Sequence, residues 1–144
     1  MRPSTLAEAV ERVRSGVPQE IALPELVDTF LLAPDSAARY ACIEAEPQLS
    51  GDARLDALVG AMAEYLAKQY RLGAVPLWAS QACRRLDEPW FTTTITDPGM
   101  REYLAFASPV EFRWRNIFTE ERPLRRARSH LPFAKKSPMS SDTA

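Results

Sequence analysis

The sequence offers few residues that could carry out acid–base or covalent chemistry. His130 is the only histidine, and it stands in a C-terminal stretch rich in Ser, Pro and Lys. We do not expect it to be catalytic, because a flexible tail cannot hold a general base in a fixed geometry. Cys42 and Cys83 have neither a CxxC spacing nor a histidine neighbour, so zinc, disulfide and nucleophile roles are not indicated. We interpret both as buried, unreactive thiols.

Two acidic pairs, Glu44 with Glu46 and Asp87 with Glu88, carry the oxygen ligands that metal ions use. Both pairs stand close to a proline, where carboxylates more often cap a helix or face water. The five glycines are scattered singly and form no phosphate-binding loop. The residues therefore predict a protein that is not an enzyme and holds no cofactor or metal. An enzyme with an unrecognised carboxylate or thiol site is the alternative.

Aromatic residues are concentrated between positions 75 and 118, which hold all three tryptophans and four of the six phenylalanines. Trp and Arg dominate the energetic centres of protein interfaces. We therefore take Trp90, Phe91, Arg113 and Arg115 as candidate contacts for a protein partner. Core packing is the alternative for the two aromatic residues, because buried aromatics commonly fill loop-to-helix junctions.

Charge is distributed unevenly along the chain. Residues 1–100 carry nine basic and fourteen acidic residues, whereas residues 101–144 carry nine basic and five acidic ones. A solvated helix face is the simplest interpretation of this basic end, and an acidic protein partner or nucleic acid is the alternative. Direct base reading is not expected, because the first three predicted helices are too acidic and apolar. The possible basic surface comprises Arg122, Arg125, Arg126 and Arg128.

Capping and hydrophobic patterns predict an all-α fold, a bundle of about six to seven short and medium helices. A capping box at Thr5 begins a first helix, which Gly16 ends. Pro24 fits the first position of a short second helix, and a third covers 34–46. The strongest apolar periodicity covers 52–71 and predicts the central core helix.

The second half of the chain is predicted to form shorter elements, without an alternating strand pattern. Residues 1–128 are expected to make a single helical domain, and 129–144 a disordered tail. The remaining predicted elements are a short helix over 76–83, a loop over 89–96, and helices that begin at Asp97-Pro98, at the capping box Ser108-Pro109-Val110-Glu111 and at Thr119.

Length and composition are those of one globular domain. The chain has 144 residues, of which 46% are hydrophobic and 26% charged. No stretch approaches the roughly 18 apolar residues of a membrane span, and the N-terminus lacks a signal-peptide pattern. We therefore expect a cytoplasmic protein without membrane association.

An ordered series of segments resembles a known protein family. The series consists of residues 49–58 (LSGDARLDAL), 63–67 (AEYLA), 75–78 (VPLW), 86–91 (LDEPWF), 108–109 (SP) and 112–118 (FRWRNIF). It is similar to a bacterial family of uncharacterised helical proteins, common in actinobacteria. That family often forms the C-terminal part of Xre-type helix-turn-helix regulators encoded beside nucleotidyltransferase-like toxins. The resemblance covers about residues 23–128.

The resemblance implies an antitoxin-like module that binds and occludes a protein partner, such as a nucleotidyltransferase-like toxin. The chain departs from the two-domain pattern because no helix-turn-helix precedes the matched region, so operator binding is not expected. It also has Arg84-Arg85-Leu86 where the family pattern has an acidic and aromatic lead-in. The alternative function is an accessory transcriptional regulator, or a nucleic-acid-binding protein, that uses the basic C-terminal helix.

Overall fold

The computed structural model describes residues 2–92, 98–120 and 122–124. These residues are mostly helical, and the predicted all-α fold class is confirmed. The helices are α1 (Leu6–Arg14), α2 (Gln19–Leu32), α3 (Ser36–Glu44), α4 (Ala53–Gln69), α5 (Pro98–Ala107) and α6 (Val110–Arg113). Two 3₁₀ turns (Leu77–Ser80 and Ala82–Arg84) and two short strands, β1 (Trp90–Phe91) and β2 (Ile117–Phe118), complete the described elements. The predictions for His130 and for the tail 129–144 lie outside the described residues.

The first helix begins at the predicted capping residue, and the third lies within the predicted range 34–46. The hydroxyl of Thr5 accepts a hydrogen bond from the backbone N–H of Glu8 at 3.0 Å. Asp35 caps α3 in the same way, through the N–H of Ala38 at 2.8 Å. Beyond α1, Gly16 adopts a φ of 113°, a left-handed conformation that reverses the chain.

The prediction for the second helix is wrong in its starting point. Pro24 lies inside α2, which begins at Gln19 directly after Pro18. A proline at an interior position removes the hydrogen bond to the carbonyl four residues before it. The apolar face of α2 offsets this loss by tertiary burial, which sequence periodicity does not reveal. The buried residues of α2 are Ala22, Leu23, Leu26, Val27 and Phe30.

The central helix is α4, as predicted. Asp52 caps it by accepting from the N–H of Arg54 at 3.0 Å. Asp56 is buried one turn later, where its carboxylate accepts from both the N–H and the hydroxyl of Ser50 at 2.9 Å. The apolar face of α4 contributes Leu55, Val59, Met62 and Leu66 to the main core.

Three of the later elements are shorter than predicted or differ in type. The segment 76–83 forms two 3₁₀ turns, and α6 ends at Arg113. Ser108 does not form the predicted capping box, because its hydroxyl bonds to the backbone N–H and C=O of Thr119, each at 2.8 Å. The described part of the predicted helix 119–128 is not helical.

A short parallel pair of strands replaces part of the predicted loop. Trp90 pairs with Ile117 and Phe91 with Phe118, and we call these four residues the Trp–Phe ribbon. Asn116 directly precedes β2, and its φ of 66° turns the chain between α6 and this strand. Asn tolerates this left-handed conformation better than most residues.

Two apolar clusters meet at α4. The larger cluster contains residues of α1, α2, α3, α4 and the first 3₁₀ turn. The smaller cluster contains residues of α4, α6 and the ribbon. Gly60 lies on α4 where Arg84 and Arg115 approach the helix closely. A Cβ at this position would lie 3.0 Å from Cβ of Arg84 and 3.2 Å from Nε of Arg115. Close packing, rather than a special backbone conformation, therefore favours glycine here.

We expect Gly60→Ala to destabilise the protein by about 1–3 kcal/mol, because overpacking outweighs the helix propensity that alanine gains. Equilibrium unfolding in urea measures the change in free energy. Ala41→Gly, at an exposed position within α3, is the control. It measures the difference in helix propensity between alanine and glycine without a packing effect, and it should destabilise the protein by about 1 kcal/mol. An increase in stability for Gly60→Ala would contradict this prediction, because it would show that Arg84 and Arg115 shift to accommodate the methyl group.

Candidate functional site

The Trp–Phe ribbon positions both predicted aromatic contacts. The N–H of Trp90 donates to the carbonyl of Asn116 at 2.8 Å, and the N–H of Thr92 donates to that of Phe118 at 3.0 Å. Successive side chains of a strand point to opposite faces. Trp90 and Phe91 therefore present their rings on two sides of the ribbon, and both side chains are half-buried.

The ring of Trp90 belongs partly to the core and partly to the surface. It packs against the smaller apolar cluster, whose buried members are Ala57, Ala61, Phe112 and Ile117. The guanidinium carbon of Arg54, an exposed residue near the start of α4, lies 5.1 Å from its ring centroid. One part of the Trp90 ring is therefore packed in the core, as the core-packing alternative states, and another part remains accessible to solvent.

Phe91 lies in a three-layer stack on the other side of the ribbon. Its ring is 5.0 Å from that of Phe118, with an interplanar angle of 22°. The guanidinium carbon of Arg101, an exposed residue of α5, lies 4.9 Å from the Phe91 centroid. The stack joins α5 to the ribbon and keeps an aromatic surface near solvent.

Arg115 does not occupy the surface position that the sequence analysis gave it, and this prediction requires correction. Its side chain is 0% exposed. Its terminal nitrogens donate to Glu64 Oε1 at 2.7 Å, to the carbonyl of Glu111 at 2.7 Å and to the carbonyl of Ala79 at 2.6 Å. The cause is its spacing from Phe112, because residues three apart on a helical turn share a face and Phe112 is buried.

Glu64 is the electrostatic partner that makes this burial possible. Its carboxylate accepts from Arg115, from the indole N–H of Trp114 at 3.0 Å, and from Lys68 at 2.8 Å. Burial alone would raise the pKa of Glu64, but the hydrogen bonds from Lys68, Trp114 and Arg115 outweigh it and hold the pKa below its usual value. The bond to Glu64 also raises the pKa of Lys68. Glu64 therefore stays ionised at neutral pH.

The structure describes only some of the other basic residues that were predicted to form a surface or contact a partner. Arg113 and Arg122 are exposed. Arg125, Arg126 and Arg128 lie outside the described residues. Arg113 therefore remains available as a partner contact, and the basic-surface prediction is neither supported nor contradicted.

Three exposed arginines that the sequence analysis did not select lie over aromatic rings. They are Arg54 over Trp90, Arg101 over Phe91, and Arg85 over Trp114, where the guanidinium carbon is 5.1 Å from the ring centroid. None of the three forms an ion pair with another described residue. Of the three, only Arg85 stands out in the sequence, because it belongs to the segment Arg84-Arg85-Leu86 that departs from the family pattern.

An apolar groove of about 240 Å³ opens beside the ribbon. Ile117 of β2 and Thr92 after β1 form part of its wall, so the groove adjoins the ribbon. Its volume exceeds the roughly 150 Å³ of an engineered cavity that binds benzene. The other lining residues are Gln19, Glu20, Leu23, Pro24, Val27, Leu58, Met62, Phe112, Thr119, Pro123 and Leu124.

The residues with potential for metal or thiol chemistry lie apart. Within 2–92, 98–120 and 122–124, no three His, Cys, Asp or Glu side chains come together as a metal site.

Cys42 is buried as predicted, and burial raises the pKa of its thiol. The prediction for Cys83 is wrong, because this thiol is exposed on the second 3₁₀ turn. No helix among the described residues has both the length and the apolar character needed to cross a bilayer.

Comparisons with known proteins do not assign the chain to a family. No family model, no curated protein and no solved structure matches it. The resemblance to antitoxin-associated helical proteins therefore stays a prediction.

We expect the stability of the protein to fall in acid through protonation of Glu64. Because its folded-state pKa is lowered, Glu64 contributes stability that is present above its unfolded value of 4.5 and lost as the pH falls through the folded value. Glu64→Gln should cost about 3 kcal/mol at pH 7, because it leaves the buried Arg115 without its carboxylate. The variant should also flatten the dependence of the melting temperature on pH between about 5 and 3.

Glu8 supplies the matched control for this titration. Hydrogen bonds from the backbone and hydroxyl of Ser4 lower the pKa of Glu8, but its side chain is 42% exposed and so better solvated than that of Glu64. Glu8→Gln should therefore change the stability at pH 7 little. A Glu64→Gln variant with the wild-type pH profile would contradict the assigned role of Glu64.

Proposed function

We propose that this protein is a non-catalytic protein-interaction module of the antitoxin type, which binds a partner protein and occludes that partner's working site. The observation that carries the proposal is the Trp–Phe ribbon, where Trp90 and Phe91 are half-exposed and an exposed arginine lies over each ring. Aromatic and arginine side chains are enriched at the centres of protein interfaces.

The surroundings of the ribbon support the same proposal. The apolar groove has room for an anchor side chain from a partner, which is the usual arrangement of an interface hot spot. Large apolar side chains are also exposed on α5 and α6: Tyr103 at 51%, Phe106 at 77% and Val110 at 52% exposure. Solvent exposure of large apolar side chains is costly and often marks an interaction site.

The antitoxin character rests on the family resemblance. A nucleotidyltransferase-like toxin would be neutralised when the ribbon and Arg113 cover its substrate or metal site. Occlusion of this kind requires complementary shape and charge, and it requires no catalytic group from this chain. A toxin and its inhibitor must share a compartment, so we place the protein in the cytoplasm.

Co-expression with the product of the neighbouring gene tests the proposal. We expect the two proteins to co-purify, and we expect this chain to relieve any growth arrest that the neighbour causes. Failure of both would overturn the antitoxin proposal.

Phe91→Ala should weaken the complex by about 2 kcal/mol, or roughly thirtyfold in Kd, because a hot-spot ring is removed. Titration calorimetry with the purified partner measures this loss. Leu77→Ala is the matched control, since Leu77 is 91% exposed and lies in the first 3₁₀ turn, outside the ribbon and the groove. Thermal melts of both variants separate lost binding from lost folding. Equal affinities for the two variants would exclude the ribbon as the interface.

A further inference from the structure

Arg85 is an exposed arginine whose side chain is fixed in two ways. It follows the second 3₁₀ turn directly. Its Nε donates a hydrogen bond to the carbonyl of Trp114 at 3.2 Å, and its guanidinium carbon lies 5.1 Å from the centroid of the Trp114 ring. An exposed arginine normally samples many rotamers, and these two contacts restrict Arg85 to few of them.

Trp114 is a rigid platform for this arginine. Its indole N–H donates to Glu64, and the buried guanidinium of Arg115 lies 4.3 Å from its ring centroid. A buried and an exposed guanidinium thus contact the same indole. The orientation of Arg85 is therefore set by the packed interior through Trp114.

The outer edge of Arg85 remains available for a ligand. Its two terminal nitrogens have no hydrogen-bond acceptor and no carboxylate partner within the part of the chain that the structure describes. The planar fork of a guanidinium matches the two oxygens of a carboxylate or a phosphate. Because Arg85 is already ordered, binding through this edge costs little additional side-chain entropy.

The neighbouring charges favour a carboxylate on a protein over a nucleic-acid backbone. Asp87 and Glu88 follow closely and are exposed. A uniformly negative phosphate backbone is repelled by these two side chains, whereas a protein surface of mixed charge can pair with them and with Arg85.

We propose that Arg85, held on Trp114, is the docking point for an Asp or Glu side chain of the protein partner. The proposal rests on the proposed function in taking the partner to be a protein. It adds the chemistry by which that partner is recognised and a contact residue that lies outside the ribbon.

A hexapeptide of alternating Glu and Lys is the probe for this site, with the full chain in low-salt buffer, because its mixed charge can pair with Arg85 and with Asp87 and Glu88. We expect the peptide to shift the NMR signals of the Trp114 indole N–H and the Arg85 Nε–H. Arg85→Lys keeps the charge but loses the planar fork and the bond to Trp114, so the dissociation constant should rise about tenfold. Arg2→Lys is the matched control, because Arg2 is exposed and has no ring contact among the described residues.

Two results would overturn the proposal. One is binding of the Glu-Lys hexapeptide that Arg85→Lys leaves unchanged. The other is binding of a single-stranded oligothymidylate through Arg85 as tight as that of the Glu-Lys hexapeptide, because the site would then select negative charge rather than a carboxylate.

Co-purification with the neighbouring gene product distinguishes failure of the Arg85 site from failure of the proposed function. A partner that Arg85→Lys captures as well as the wild-type chain does would overturn the Arg85 site and leave the interaction module standing. Arg85-dependent binding of the Glu-Lys hexapeptide without capture of the neighbouring gene product would support the carboxylate site and count against the antitoxin partner.

Discussion

The buried charge of Arg115 is the constraint on which the rest of the structure depends. An arginine cannot lose its proton, so its burial is tolerable only when anionic and carbonyl oxygens replace water around it. Glu64 on α4, Glu111 on α6 and Ala79 in the first 3₁₀ turn supply those oxygens. All three elements must therefore be in place together. The Nε atom has no acceptor among the described residues, since it faces Gly60 across a gap that leaves no room for a side chain.

The buried arginines also support the surface that we propose as functional. A pair of two-residue strands is not stable alone in water. The ribbon is held because the carbonyl of Arg115 accepts from Leu86 at 3.1 Å and the amide of Asn116 donates to the carbonyl of Leu86 at 2.7 Å. Arg84 connects the same region to the loop after α3 through its bond to the carbonyl of Pro47 at 2.7 Å, and to α4 through its bond to the carbonyl of Asp56 at 3.4 Å. Rigidity at the ribbon therefore derives from ion pairs and hydrogen bonds in the interior.

The sequence predicted the elements whose causes are local. The cap at Thr5 and the apolar period of α4 depend on neighbouring residues, and both were identified. Long-range contacts account for the errors: α2 extends through Pro24 because tertiary burial retains it, and the ribbon joins segments that no local pattern connects. Two features of the sequence indicate the burial of Arg115. It is three residues from the apolar Phe112, which places both on one face of a helical turn, and Gly60 within α4 leaves space for a neighbouring side chain.

Arginine has opposite uses on the inside and the outside of this protein. Arg84 and Arg115 are fully buried and their terminal nitrogens have partners, so they serve the fold. Arg54, Arg85 and Arg101 are exposed and lie over rings, where a cation–π contact contributes only about 0.5–1 kcal/mol. Stability alone is therefore a weak reason for three such arrangements. We attribute them to recognition, because an arginine ordered on a ring keeps its hydrogen-bonding edge free for a partner's acidic side chain.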